Sequence, residues 1–140
     1  MASGQSRNRY NSDMTRLPYQ KLHIWQKGMQ LTKKIYAITK LLPADERYGL
    51  ISQMNRAAVS VPSNIAEGSQ RITKEGMGHY LRIARGSLVE LETQTLLCRE
   101  LFSVCSDSIT LPILNEIQEL KKMMYSFQQK LQSDSEQVCT

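Results

Sequence analysis

The segment Ser52-Gln-Met-Asn-Arg-Ala-Ala-Val-Ser-Val-Pro-Ser-Asn-Ile-Ala-Glu-Gly68 decides the fold that we expect for this chain. Its apolar residues recur at helical spacing, and the small residues among them allow another backbone to come close. Pro62 cannot donate a backbone hydrogen bond, so we predict that the helix bends around it. Nothing in the segment resembles an active-site loop. It is typical of the central helix of a tightly packed bundle.

Three further amphipathic patterns accompany this segment. In the third predicted helix, apolar residues from Met77 to Phe102 alternate at spacings of four and three, which is typical of a seam between packed helices. Thr73 and Thr110 are good N-cap residues for the last two helices, and the acidic pair at residues 45–46 suits the start of the second. The four predicted helices cover about residues 19–42, 45–68, 73–103 and 110–132.

Four helices with short connections and no strand pattern predict an all-α fold. The expected architecture is an up-down-up-down antiparallel four-helix bundle over residues 18–132. Residues 1–17 are polar and basic without apolar periodicity, so we expect a disordered tail there. Residues 133–140 are expected to form a frayed C-terminal tail. At 140 residues, the chain is long enough for one domain.

The composition argues against membrane-spanning and secreted proteins. No apolar run approaches the roughly 18 residues that a membrane span needs, and the first residues lack a secretory signal. The three cysteines, Cys98, Cys105 and Cys139, are odd in number and show no CxxC spacing. This pattern disfavours a disulfide framework or a zinc site. We expect a cytoplasmic protein whose cysteines are small core or surface residues.

The positive charge is concentrated at the start of the chain. Residues 1–40 contain eight basic residues and one acidic residue, a net charge of +7. Residues 41–140 contain ten basic and twelve acidic residues, a net charge of −2. Such asymmetry favours an anionic partner, with nucleic acid before a membrane surface. On charge alone, a solvated lysine face that only aids solubility is an equal alternative.

Residues that could carry catalysis are scarce. His23 and His79 do not stand at metal-ligand spacing from Cys, Asp or Glu, and no ExxH motif is present, which disfavours a di-iron carboxylate bundle. Gly76-Met-Gly78 lies at a helix start and is not a phosphate loop. Two histidines also leave little from which to build a Ser-His triad. We therefore expect no enzyme activity, no metal and no cofactor.

The basic side chains are the better candidates for function. Arginine can hold a phosphate bidentately, whereas lysine acts as a point charge. No base-reading motif is visible, so the expected contact is with the phosphate backbone of a nucleic acid. The residues that we predict to make this contact are Lys27, Lys33, Lys34, Lys40, Arg71, Lys74, Arg82 and Arg85.

Arg56 requires a separate interpretation, because it stands among small and apolar residues of the second helix. A buried arginine is costly unless an acid neutralises it. We therefore predict a structural ion pair between Arg56 and either Glu90 or Glu92 of the third helix.

Several motifs together resemble one known family. They are Trp25-Gln-Lys27, Tyr48-Gly-Leu50, Arg56-Ala-Ala-Val-Ser60, Pro62-Ser-Asn-Ile-Ala-Glu-Gly68, Gly86-Ser-Leu88 and Glu90-Leu-Glu92. The chain resembles the 23S rRNA intervening-sequence protein family, also described as bacterial S23-like four-helix-bundle proteins, over roughly residues 18–130.

This resemblance implies a bacterial four-helix bundle that assembles as a ring-shaped homopentamer, and it carries over no catalytic residues. A related group, the accessory proteins of diversity-generating retroelements, binds reverse transcriptase and nucleic acid. We therefore expect a non-enzymatic, oligomeric nucleic-acid-binding protein, with RNA as the first candidate and first-helix residues at the subunit interface. The alternative is a scaffold or accessory subunit for a protein partner such as a reverse transcriptase.

Overall fold

The structure is a computed structural model that describes residues 18–139, with side chains as far as residue 133. The tail predicted for residues 1–17 lies outside the described residues. The described part is helical and contains no strand. Its elements are a 3₁₀ turn at Pro18–Lys21, α1 at His23–Thr39, a second 3₁₀ turn at Ala44–Glu46, α2 at Leu50–Ser69, α3 at Lys74–Leu101 and α4 at Asp107–Cys139.

The four helices form the predicted antiparallel bundle. Each helix packs against the next one in the chain, and α4 closes the bundle against α1. Lys27 pairs with Glu119 and Lys34 with Glu116, so residue numbers rise along α1 as they fall along α4. Among the described residues, no Cα of α1 lies within 8 Å of a Cα of α3, and no Cα of α2 lies within 8 Å of a Cα of α4. The helices therefore occupy the four corners of a square.

The apolar seam predicted on α3 lies at the centre of the core. Leu81, Leu88 and Leu91 have no exposed surface, and the buried faces of the other three helices pack around them. Burying side chains of this size contributes roughly 1.5–3 kcal/mol each relative to leaving them in water. These apolar residues are thus buried inside the bundle. No helix of the described part is long and apolar enough to cross a bilayer.

Pro62 lies inside α2 and is compensated by α1. The proline has no N–H to give to the Ala58 carbonyl four residues earlier. The hydroxyl of Thr32 on α1 lies within hydrogen-bond distance of that carbonyl instead, with its Oγ1 3.0 Å from the oxygen, and it shares its one proton with the Gly28 carbonyl of its own helix at 2.8 Å. Gly28 lets the two helices come this close, since a Cβ on it would already lie 3.4 Å from Val61 Cγ1. The bend at Pro62 stays a prediction.

The start of α2 differs from the prediction, whereas the start of α3 agrees with it. Asp45 and Glu46 lie in the preceding 3₁₀ turn, and α2 begins only at Leu50. Glu46 nevertheless acts at that helix start, because its Oε2 accepts a hydrogen bond from the Leu50 N–H at 3.2 Å. Thr73 is the N-cap of α3, and its Oγ1 accepts from the Gly76 N–H at 3.0 Å.

The predicted cap of α4 is wrong. The helix begins at Asp107, which forms an ion pair of 2.8 Å with Arg99 Nε. An acid suits this place because it faces the positive end of the helix dipole. Thr110 is buried within the first turn, and its hydroxyl donates to the Ser106 carbonyl at 3.1 Å. At the other end, α4 continues to Cys139, beyond the predicted end and into the segment expected to fray.

Candidate nucleic-acid interface

Two of the lysines predicted to contact nucleic acid are paired with acids of α4. Lys34 Nζ lies 2.6 Å from Glu116 Oε1, and Lys27 Nζ lies 3.5 Å from Glu119 Oε1. Such partly exposed pairs contribute at most about 1 kcal/mol to stability. Their effect on nucleic-acid binding is larger than their effect on stability, because the positive charge of a lysine paired with a carboxylate is partly neutralised and attracts a phosphate less strongly. Lys27 and Lys34 are therefore weaker candidates than the sequence indicates.

Arg71 is also engaged within the chain. Its Nη2 lies 2.9 Å from Glu67 Oε2 and donates to the Tyr80 hydroxyl at 2.7 Å. The guanidinium carbon lies 4.6 Å from the centre of the Tyr80 ring, within the range of a cation–π contact. These contacts link the end of α2 to the start of α3, so Arg71 has a structural role beside any role in binding.

The remaining predicted residues do not form one surface. Lys33 is exposed on α1 and Lys40 is exposed directly after its end, whereas Lys74, Arg82 and Arg85 lie on α3. None of these five has an acidic partner within the described residues. Because α1 and α3 stand at diagonal corners of the bundle, one straight nucleic-acid segment cannot contact both groups on the same face.

A groove between α3 and α4 gathers the α3 cations. Arg82, Arg85 and Lys121 line a hollow of about 280 Å³, with Gly86 beside them. Arg82 also borders a neighbouring hollow of about 500 Å³ that Lys74 and the acidic Glu75 help to line. We call Lys74, Arg82, Arg85 and Lys121 the basic groove. Four cations along two adjoining hollows form a surface that can follow a chain of phosphates.

Neighbouring side chains orient the cations of the basic groove in different ways. Arg85 Nη1 donates to Gln128 Oε1 at 2.8 Å, and this neutral amide positions the guanidinium without reducing its charge. Lys121 Nζ lies 3.3 Å from Glu92 Oε2, so its charge is partly compensated. Arg82 has no partner among the described side chains. Arg82, Arg85 and Lys74 therefore keep their charge uncompensated by an ion pair among the described residues, unlike Lys121.

Two helical glycines lie beside these arginines, and no close packing among the described residues requires either of them to be glycine. A Cβ on Gly86 would meet no atom within 4 Å, and one on Gly78 would meet only Arg82 Nη1 at 3.5 Å. The close helix crossing that we expected at residues 86–87 involves Ser87 alone, which hydrogen-bonds Ser60 at 2.8 Å. Glycine inside a helix costs about 1 kcal/mol relative to alanine. Here it leaves the α3 backbone open to an approaching ligand.

The prediction that Arg56 forms an ion pair with Glu90 or Glu92 is wrong for the described structure. Arg56 is exposed, and neither Glu90 nor Glu92 lies within ion-pair distance of it in the described structure. Glu92 is paired with Lys121 of α4 instead. The small residues next to Arg56 misled the prediction: Ala57 and Ala58 face the core, which leaves Arg56 on the outer edge of α2.

The histidines and cysteines of the described part of the chain do not come together in one cluster. His23 and His79 are exposed, and the described residues hold no group of three His, Cys, Asp or Glu that could bind a metal. Cys98 and Cys105 are free and buried, as expected. Burial raises the pKa of the Cys98 thiol to about 12 and also raises the pKa of Cys105, so neither is a ready nucleophile. The side chain of Cys139 lies outside the described residues.

Comparison with known proteins decides the family. The model of the family "23S rRNA-intervening sequence protein" matches residues 20–126. The chain belongs to this family. Among solved structures, a protein of unknown function from the S23 ribosomal protein family of Bacteroides thetaiotaomicron VPI-5482 matches with a TM-score of 0.68 and 21% identity, over 75% of this chain and 97% of that one. At this identity the match supports the fold alone. No curated protein matches the chain.

Lys121 is the residue of the basic groove that the sequence analysis missed, although it lies within the segment matched by the family model. It follows Leu120, which is buried in the α4 seam. Positions that flank a seam point toward the neighbouring helix, and charged residues there commonly reach across to it. Applying this rule to α4 as well as to α3 would have identified Lys121.

Proposed function

We propose that this member of the 23S rRNA-intervening sequence protein family is a non-enzymatic, oligomeric protein that binds the phosphate backbone of RNA through the basic groove. One observation carries the proposal: Lys74, Arg82, Arg85 and Lys121 come together between α3 and α4. The family description, which refers to 23S rRNA, favours RNA as the class of nucleic acid.

The chemistry of the groove favours backbone contact over base reading. Arginine and lysine interact with phosphate oxygens whatever the base, and the affinity then comes largely from released counterions. Gly78 and Gly86 leave room for a sugar-phosphate chain beside Arg82. We therefore propose binding with weak sequence preference.

Assembly would strengthen modest contacts. In a homopentamer, as the family resemblance implies, each subunit would present one basic groove, and linked grooves would bind one RNA with higher avidity than a single groove. The unpaired, buried Cys98 and Cys105 are consistent with a reducing compartment, so we propose that the protein acts in the cytoplasm.

The second candidate function is that of a scaffold or accessory subunit for a protein partner. Large apolar side chains at the surface favour it, among them Ile72, which is fully exposed, and Leu101, which is 62% exposed. Such contacts would be largely insensitive to salt, whereas phosphate contacts weaken steeply as salt rises.

A titration with fluorescently labelled RNA tests the proposal. Anisotropy is measured for two RNAs of unrelated sequence with the wild type and with the groove variant, Arg82→Gln/Arg85→Gln/Lys121→Gln. A matched control, Lys21→Gln/Lys122→Gln/Lys130→Gln, removes the same charge from another surface, between α1 and α4. A third variant, Lys33→Gln/Lys40→Gln, tests the exposed lysines of α1.

We expect the groove variant to lose on the order of 10²-fold in affinity for both RNAs at about 0.1 M salt, because three phosphate contacts disappear. The control variant should change affinity much less. Equal losses in the groove and control variants would show a general effect of net charge. A loss confined to the α1 variant would move the site to α1, and an absence of binding by the wild type at low salt would favour the protein scaffold.

A further inference from the structure

An exposed tyrosine stands on the α4 side of the basic groove. Two contacts show which side of α4 faces α3. Lys121 Nζ lies 3.3 Å from Glu92 Oε2, and Gln128 Oε1 accepts a hydrogen bond from Arg85. Tyr125 lies four residues after Lys121 and three before Gln128, so it occupies the same side of the helix, between the two contacts. It is 54% exposed, and its ring and hydroxyl make no ring contact or hydrogen bond with another described residue.

An exposed valine occupies the matching place on α3. Val89 lies between Arg85 and Glu92, the two α3 residues that make those contacts, so it is level with Tyr125 in the antiparallel pair. It is 50% exposed and lines the smaller hollow of the basic groove. Each wall of the groove therefore carries an exposed apolar or aromatic side chain in addition to its cations.

This combination of side chains distinguishes between two forms of nucleic acid. In proteins that bind single strands, cations hold the phosphates and aromatic rings stack on unpaired bases. In a duplex the bases pair and stack on one another, so a ring at this place would have no base to contact. Gly86 adds room beside Val89, because a Cβ on the glycine would meet no atom within 4 Å. The groove therefore suits a single strand better than a duplex.

We infer that the basic groove binds single-stranded RNA, with one base stacked on the ring of Tyr125 and packed beside Val89. Arg85 and Lys121 lie on either side of Tyr125 along the groove and hold the phosphates that flank this base. Every base has a face that can stack, so the contact adds affinity without reading sequence. The inference rests on the proposed function and adds to it the strandedness of the RNA and the residue that selects it.

Fluorescence anisotropy with three labelled RNA probes of equal length tests the inference. The probes are an unstructured single strand, the same strand annealed to its complement, and a single strand of abasic nucleotides, which keeps the phosphates but has no bases to stack. Tyr125→Ala removes the ring, and Tyr125→Phe keeps it. Tyr48→Ala is the matched control, because Tyr48 is 90% exposed in the connection between α1 and α2.

Tyr125→Ala should lower the affinity for the single strand by about 5- to 150-fold, the range found when one stacking ring is replaced by alanine. Its affinity for the duplex and the abasic strand should stay near the wild-type values, since neither offers a base to the ring. The salt dependence of binding should also stay unchanged, because the variant removes no charge. Tyr125→Phe should retain most of the affinity, and Tyr48→Ala should match the wild type. Circular dichroism should show equal helix content in all variants, since both tyrosines are exposed.

Three results would overturn the inference. Unchanged single-strand affinity in Tyr125→Ala would show that no base stacks on this ring. An equal loss for all three probes would show that Tyr125 acts on the phosphate contacts and not on a base. A loss in Tyr36→Ala instead would place the stacked base on α1, where Tyr36 is 42% exposed between Lys33 and Lys40.

The same titrations separate this inference from the proposed function. If Arg82→Gln/Arg85→Gln/Lys121→Gln loses affinity and Tyr125→Ala does not, phosphate binding in the groove stands and only the stacked base is wrong. If the wild type binds none of the three probes at low salt, the proposed function and the inference are both wrong.

Discussion

The hydroxyl of Thr32 takes over a hydrogen bond that Pro62 cannot make, so removing it should destabilise the bundle. Thr32→Val keeps the branched shape of the side chain but leaves the Ala58 carbonyl without its donor at 3.0 Å. Ala58 is 1% exposed, so water cannot easily replace the lost donor. A buried acceptor left without a partner costs about 1–3 kcal/mol.

Thermal unfolding followed by circular dichroism measures this cost. For a chain of this size, the loss corresponds to a fall in Tm of roughly 3–12 °C. Thr32→Ser keeps the hydroxyl and should recover much of the difference. Thr93→Val is the matched control, because Thr93 is exposed on α3 and makes no hydrogen bond with another described residue. If Thr32→Val lowers Tm no more than Thr93→Val does, the compensation of Pro62 by α1 is wrong.

Two further predictions concern Gly86 and the buried thiols. Gly86→Ala should stabilise the protein by about 1 kcal/mol, because the new Cβ meets no atom within 4 Å and alanine favours the helix. Gly68→Ala should destabilise it, since that Cβ would lie 3.1 Å from Tyr80 Cβ. Urea titrations measure the free energy of unfolding of both variants, and the two changes should have opposite signs. Destabilisation by Gly86→Ala would contradict the open groove. In a Cys139→Ser background, Cys98 and Cys105 should react with Ellman's reagent only after unfolding, because burial raises the pKa of both. Rapid reaction of the native protein would show that these thiols are accessible.

The seams of the bundle could be predicted from the sequence because they depend on spacing along one helix. The seam of α3 keeps one face buried over its length, and Thr73 caps that helix through a bond to a residue three positions away. The starts of α2 and α4 could not be located in this way. Glu46 acts on Leu50 from the preceding turn, and Asp107 is paired with Arg99 of the previous helix.

The candidate site was harder to predict, because its properties depend on pairs of helices. Whether Lys34 is available for binding is decided by Glu116, which lies on another helix. Likewise, Arg56 stands in an apolar stretch of sequence but on the outer edge of its helix. The composition of a segment gives the residues that could act, whereas the rotation of each helix in the bundle decides which of them meet.

The salt dependence of RNA binding tests the central claim, that the basic groove holds the phosphate backbone. The slope of log K against log salt concentration is measured for the wild type, the groove variant and the control variant that lacks Lys21, Lys122 and Lys130. If the three groove cations contact phosphates, the slope of the groove variant should be smaller in magnitude by about 2–3, and that of the control should stay near the wild-type value. Equal slopes for the wild type and the groove variant would contradict the account.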